Sequence, residues 1–220
     1  MQTDLIPGEV PLIAILRGVL PDRVVAVADV LYRCGIRAIE VPLNSPDPFA
    51  SIAALATRHG ENCLIGAGTV LTAGDVHRTH EAGGRLIVAP NSCSEVIRSA
   101  VQLEMQVIPG IATATEAFSA ISAGATQLKL FPAVTYGPQH LKALGSVLPK
   151  SVHVFAVGGV GAQDIPAWLA AGAAGFGFGS ELFRPDYSLA DIEERAQRLV
   201  QALQDARRQL AQASAKESKI

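Results

Sequence analysis

The first 128 residues of this 220-residue chain contain no lysine, although arginine is frequent there. Five lysines occur in all: Lys129, Lys142, Lys150, Lys216 and Lys219. Cysteine is also sparse. Cys34, Cys63 and Cys93 are odd in number, widely spaced and without clustered histidines, which argues against a disulfide framework and against a zinc site. Aromatic residues make up only 5% of the chain, with one tryptophan, so any large core must be aliphatic. A net charge of −2 with no basic cluster excludes an electrostatic nucleic-acid footprint. No uninterrupted apolar stretch is long enough to cross a bilayer, so no membrane partner is expected. No basic–apolar–small leader precedes the first apolar run, and the cytoplasm is the expected location.

What the chain does have is a repeated pattern. Short apolar runs recur every 21 to 26 residues: 12–17, 38–43, 64–70, 85–90, 106–111, 127–132, 153–158 and 175–180. Ala-, Leu- and Val-rich segments with helical spacing lie between them, the signature of successive βα units. Cys34-Gly35, Ala82-Gly83, Ala123-Gly124 and Ala171-Gly172 suit helix C-termini, while Ser94 before Glu95 and Thr113 three residues before Glu116 suit N-termini. Eight such units predict an α/β fold, a (β/α)8 TIM barrel in a single domain over 1–210. A doubly wound open sheet is the rival. A last helix is expected from Ser188 to about Leu210, and residues 211–220 read as a frayed polar tail.

In such a barrel, functional groups gather at the C-terminal ends of the strands. Polar residues intrude into the apolar runs at Arg17, Glu40, Thr69 and Lys129. Alternation of side chains along a strand separates the two faces. Leu128 and Leu130 should meet the helices, which turns Lys129 inward with Gln127 and Phe131. Ile39 and Val41 likewise turn Glu40 inward. A strand-end lysine can simply snorkel to water, and a buried Lys–Glu pair can be structural. Yet a buried amine is also how proteins obtain a neutral, nucleophilic lysine, and lowering its pKa from about 10.4 towards 7 takes roughly 4 to 5 kcal/mol of environmental penalty. A lysine that attacks a ketone, beside a carboxylate that shuttles protons, would make and break carbon–carbon bonds through an imine. The five histidines, at 59, 77, 80, 140 and 153, show no ligand spacing and read as surface or loop residues. Trp168 and Phe118 read as helix residues packing on the barrel or between subunits.

The last two runs end in glycine-rich turns, Val157-Gly158-Gly159-Val160-Gly161 and Gly175-Phe176-Gly177-Phe178-Gly179-Ser180. Loops after strands 7 and 8 of TIM barrels commonly bind phosphate through backbone N–H groups, and Ser180 could add a hydroxyl donor. The two turns therefore predict a phosphate ligand.

Assembled in order, Ile13-Ala14-Ile15-Leu16-Arg17, Ile39-Glu40-Val41-Pro42-Leu43, Gly66-Ala67-Gly68-Thr69-Val70, Val107-Ile108-Pro109-Gly110 and Leu128-Lys129-Leu130-Phe131-Pro132 resemble the class I 2-keto-3-deoxy-6-phosphogluconate aldolase family over nearly the whole chain. The resemblance implies that Lys129 forms a Schiff base with pyruvate and that Glu40 shuttles protons. It places Arg17 and Thr69 at the substrate's carboxylate or hydroxyls, with Pro90 and Phe131 also lining the substrate, and Gly158, Gly159, Gly179 and Ser180 at its phosphate. It implies no metal and no cofactor, a phosphorylated 2-keto-3-deoxy sugar acid as the ligand, and assembly as a homotrimer. Gluconate-acting members typically carry an arginine after the glutamate and a threonine before the Gly-Gly turn. Here those places hold Asn44 and Val157, which looks like the branch acting on the galactonate epimer. Replacing a threonine by valine removes a hydroxyl donor beside the bound chain. Alternatives left open are the gluconate epimer or 4-hydroxy-2-oxoglutarate as substrate, a phosphate-binding barrel isomerase or epimerase, and a non-catalytic phospho-sugar binder.

Overall fold

In the computed structural model, which describes residues 10–217, the apolar runs become nine parallel strands. They are β1 (Leu12–Ile15), β2 (Ala38–Pro42), β3 (Leu64–Gly68), β4 (Leu86–Val88), β5 (Gln106–Ile108), β6 (Gly110–Ile111), β7 (Gln127–Leu130), β8 (His153–Val157) and β9 (Gly175–Phe178). The count is nine because the fifth run divides at Pro109, whose missing N–H breaks the ladder. β5 pairs with β4 and β6 pairs with β7. The strand order is β5-β4-β3-β2-β1-β9-β8-β7-β6. Its two ends are thus the halves of one interrupted stave, and the sheet curls into a nearly closed barrel of eight staves. The TIM-barrel expectation holds.

Helices form the outer layer: α1 (Pro21–Arg33), α2 (Pro48–His59), α3 (Ala73–Glu81), α4 (Ser94–Gln102), α5 (Ala114–Ser122), α6 (Ala133–Gly145), α7 (Ile165–Ala170) and α8 (Leu189–Glu217). Thr113 and Glu116 make the expected capping box at α5. The four Gly-terminated helices end as read, each with its glycine at positive φ. Ser94, however, is the first residue of α4, and Cys93 is the N-cap, without a side-chain cap bond. Ser188 and Asp191 exchange capping bonds at the start of α8. That helix continues past Leu210, because 211–217 is rich in good helix formers and has no Gly or Pro. Residues 218–220 of the expected tail lie outside the described residues.

Packing divides into two compartments. Between strands and helices, Ile39, Val41, Leu128 and Leu130 join Val24, Val27, Ile52, Leu55 and Val96 in the main core. Inside the barrel, Ile13, Ala38, Leu64, Leu86, Val88, Ile108, Phe155 and Val157 form a separate cluster. Burying each larger side chain contributes roughly 1.5–3 kcal/mol. The inner cluster fixes the parity of each strand. Ala38 faces inward, so Glu40 does too, and the pairing of Lys129 with Phe155 puts the lysine inside. Trp168 is buried on α7, whereas Phe118 on α5 is exposed. His59 differs from its reading as a surface residue: it is buried at the end of α2, with Nε2 2.9 Å from Asp29 Oδ1 and its ring against Tyr32.

Candidate active site

Among the described residues, Glu40 and Lys129 are the only buried side chains of the Asp, Glu, Lys and Arg types, at 3% and 6% exposure. They project from β2 and β7, which are four staves apart and therefore face one another across the barrel. Two apolar strands have each given up one inward position to a charge. Burial is the largest influence on both. It lowers the Lys129 pKa to about 8, opposed by the negative field of Glu40 and assisted by Arg17. It raises the Glu40 pKa to about 7, opposed by Lys129 and Arg17. For Lys129 that displacement corresponds to on the order of 3 kcal/mol. Near neutral pH, then, the barrel holds an amine that readily becomes neutral and a carboxyl that readily gains or loses a proton. That combination suits imine formation and proton transfer. The ammonium also lies 4.8 Å from the Phe131 ring centroid.

Glu40 Oε2 is buried without a hydrogen-bond partner. Its carboxylate rests on the backbone of Gly68, where an added Cβ would sit 1.8 Å from Oε2. The motif containing Gly68 was visible in the sequence, but this contact was not. Next along the chain, Thr69 has φ +57°, a conformation that a β-branched residue adopts only under strain. Its hydroxyl accepts a bond from Arg17 Nη2 at 3.3 Å, and Arg17 Nη1 donates to Asn44 Oδ1. Arg17, Asn44 and Thr69 follow three neighbouring strands, β1, β2 and β3, and form one polar group at the mouth. A bond from the Gly18 N–H to Ser45 Oγ at 2.9 Å ties the first two of these loops together.

On the other side of β1, along the neighbouring staves β9 and β8, the rim has few side chains. Gly158 and Gly159 follow β8 with φ of +95° and +75°. A Cβ on Gly159 would meet Val134 at 2.6 Å, and one on Gly158 would meet the Phe131 ring at 3.1 Å. Only glycine meets both demands at these positions. β9 lies beside β8, with Val157 paired to Gly177, so Gly179 and the exposed Ser180 follow on the adjacent stave. A Cβ on Gly179 would meet nothing within 4 Å, so this turn faces open space. Val157 itself is buried in the inner cluster, one inward position above Phe155. Pro90 sits at the same rim after β4, where its carbonyl lies against Gly110, 2.1 Å from where a Cβ would be. Glu40, Lys129, Arg17, Asn44 and Thr69 thus converge through contacts and fields. Pro90, Phe131, Val157 and the two glycine turns surround them as walls.

The KDPG and KHG aldolase family model matches residues 5–197. The 2-dehydro-3-deoxy-6-phosphogalactonate aldolase of Escherichia coli (strain K12) is 48% identical over 198 residues, which cover 90% of this chain and 97% of that protein. A solved structure described as native KDPGal has a TM-score of 0.90 at 47% identity, covering 94% of this chain and 98% of that one. A KDPG aldolase from Legionella pneumophila, solved with pyruvate captured at low pH as a covalent carbinolamine intermediate, has a TM-score of 0.75 at 26% identity, covering 90% and 94%. This chain belongs to the KDPG and KHG aldolase family.

Proposed function

We propose that this aldolase cleaves 2-dehydro-3-deoxy-6-phospho-D-galactonate reversibly to pyruvate and D-glyceraldehyde 3-phosphate through a Schiff base on Lys129. The observation that carries the reading is the isolated pair of buried charges, Lys129 and Glu40, each with its pKa moved by burial towards neutrality. Neutral Lys129 adds to the C2 ketone, and the carbinolamine hydroxyl takes a proton from the Glu40 carboxyl and leaves as water, giving the iminium and a Glu40 carboxylate. Glu40 removes the C4 hydroxyl proton as the C3–C4 bond breaks and its electron pair passes into the iminium, leaving an enamine. The aldehyde departs, Glu40 returns its proton to C3, and water hydrolyses the resulting iminium to free pyruvate and Lys129. The balance needs no metal, oxidant or reductant.

Arg17, with its guanidinium steered by Asn44 and Thr69, is placed to pair with the substrate carboxylate or its hydroxyls. Gly158, Gly159, Gly179 and Ser180 are assigned to the phosphate: the β8 turn takes positive φ at both glycines, the β9 turn is open at Gly179, and a turn without a Cβ lets backbone N–H groups approach oxygen closely. Pro90 and Phe131 are assigned to the wall of the substrate channel. The galactonate epimer is favoured over the gluconate epimer by Val157, which offers no donor to the sugar chain, and by Asn44 where gluconate-acting relatives typically have arginine. The similarity to the E. coli galactonate enzyme points the same way.

We place the enzyme in the cytoplasm; no helix among the described residues is long and apolar enough to cross a membrane. We assign it a homotrimer, in which Leu71, Val101 and Phe118, exposed on or beside α3, α4 and α5, are apolar side chains that self-association would cover. Light scattering tests the assembly. The substrate is tested by kcat/KM for the two C4 epimers measured side by side. A clear preference for the galactonate epimer is expected, and a gluconate preference would overturn the assignment.

A further inference from the structure

We propose that Gly68 is a positioning residue, a seat without a side chain that holds the Glu40 carboxylate on the β3 backbone for proton transfer. The inference rests on the aldolase reading for the role of Glu40 and adds how that carboxylate is held in place. The three atoms nearest to a Cβ on Gly68 would all belong to Glu40: Oε2 at 1.8 Å, Cδ at 2.2 Å and Oε1 at 2.4 Å. Gly68 is absent from the positive-φ glycines, so its conformation is open to any residue and only space requires glycine there.

Gly66, two residues earlier on the same inward face, provides the contrast. A Cβ there would strike the Leu86 carbonyl oxygen at 1.8 Å, so Gly66 serves the close packing of two strands. Gly66 pairs with Glu40 and Gly68 pairs with Pro42, so the glutamate reaches one inward step along β3 towards the mouth. No hydrogen bond restrains Oε2. The shape of the seat therefore fixes the carboxylate, and any side chain on Gly68 would push it away. Immediately after Gly68 the chain turns at Thr69, whose hydroxyl belongs to the Arg17 group, so one short segment serves both the carboxylate and the guanidinium.

Two measurements on the full chain test this. The first follows exchange of pyruvate methyl hydrogens in D2O by NMR, alongside borohydride trapping of pyruvate. Gly68→Ala is expected to slow exchange at least about tenfold, since general acid–base groups commonly contribute more than that. It is expected to leave the trapped adduct at Lys129 near the wild-type level. Unchanged exchange, or loss of adduct in step with exchange, would overturn the proposal. The second compares melting temperatures. Gly68→Ala is expected to lower Tm in the wild-type background and to have little effect in Glu40→Ala, where the obstructing carboxylate is gone. An equal drop in both backgrounds would show that Gly68 serves backbone packing, and would overturn the seat even if the single variant folds too poorly to assay. The melting pair does not depend on imine chemistry. Absence of any adduct in the wild type would instead overturn the proposed reaction and, with it, the role in proton transfer.

Discussion

Across the β2–β7 axis the barrel places two charged side chains in apolar surroundings, whereas along the β8–β9 rim it removes side chains and leaves backbone. Lys129 and Glu40 gain their character from burial, which drives one pKa down and the other up. Gly158, Gly159 and Gly179 gain theirs from what is missing: a Cβ that would strike Val134 or Phe131, or would fill open space. The difference suits two tasks. A group that must change protonation state needs a medium that makes charge expensive. A site for a fixed anion needs N–H donors that do not change at all. Substitutions on the two sides should therefore fail in different ways.

The largest effect is expected at the charged side. Lys129→Met should reduce cleavage by on the order of a millionfold, the lower end of enzymatic acceleration, because no other buried amine is present among the described residues. Steady-state assays should detect this while circular dichroism shows a folded barrel. Glu40→Gln should reduce kcat by roughly 10²- to 10⁴-fold. It should also move the pH profile in a signed direction. The Glu40 charge holds the Lys129 pKa up, against burial. In wild type, kcat/KM should fall as pH drops through about 8 and Lys129 takes up a proton. Without the carboxylate that limb should move to lower pH. A shift to higher pH, read from the pH–rate profile, would contradict the assigned coupling.

At the glycine rim the loss should fall on binding. Gly159→Ala forces a left-handed φ on a side chain, worth about 1–2 kcal/mol, and adds a contact with Val134. KM for the phosphorylated substrate should rise about tenfold or more, while exchange of unphosphorylated pyruvate changes far less. An equal loss for both ligands would erase the distinction between the two sides. Val157 stands between them. Val157→Thr should raise kcat/KM for the gluconate epimer relative to the galactonate epimer by about two- to tenfold, the worth of one net hydrogen bond. In the loop after β6, Thr113→Ala removes the α5 capping box and should cost about 1 kcal/mol of stability, seen in denaturant melts.

The two sides were legible in the sequence for different reasons, and so were the gaps. Lys129 and Glu40 stood out because a charge in an apolar alternation is conspicuous, and period-two parity gave their direction. The glycine turns were legible because they close the two runs where barrels commonly hold phosphate. Gly68 belongs to a motif visible in the sequence, but its partner lies on another strand and only the fold brings the two together. The left-handed Thr69 was hidden because a β-branched residue reads as extended. The split of the fifth stave at Pro109 could have been read from the missing N–H, but an apolar run continuing on both sides masked it. His59 looked solvated until Asp29 and Tyr32 of α1 were placed beside it. Periodicity thus located elements and faces, while contacts between neighbouring elements required the fold.

The measurement that bears most directly on the central claim is borohydride reduction in the presence of pyruvate, followed by peptide mass analysis. A single pyruvyl adduct on Lys129, abolished by Lys129→Met, is the expected result. An adduct on Lys142 or Lys150, or none at all, would contradict the assignment of the buried amine as the Schiff-base residue.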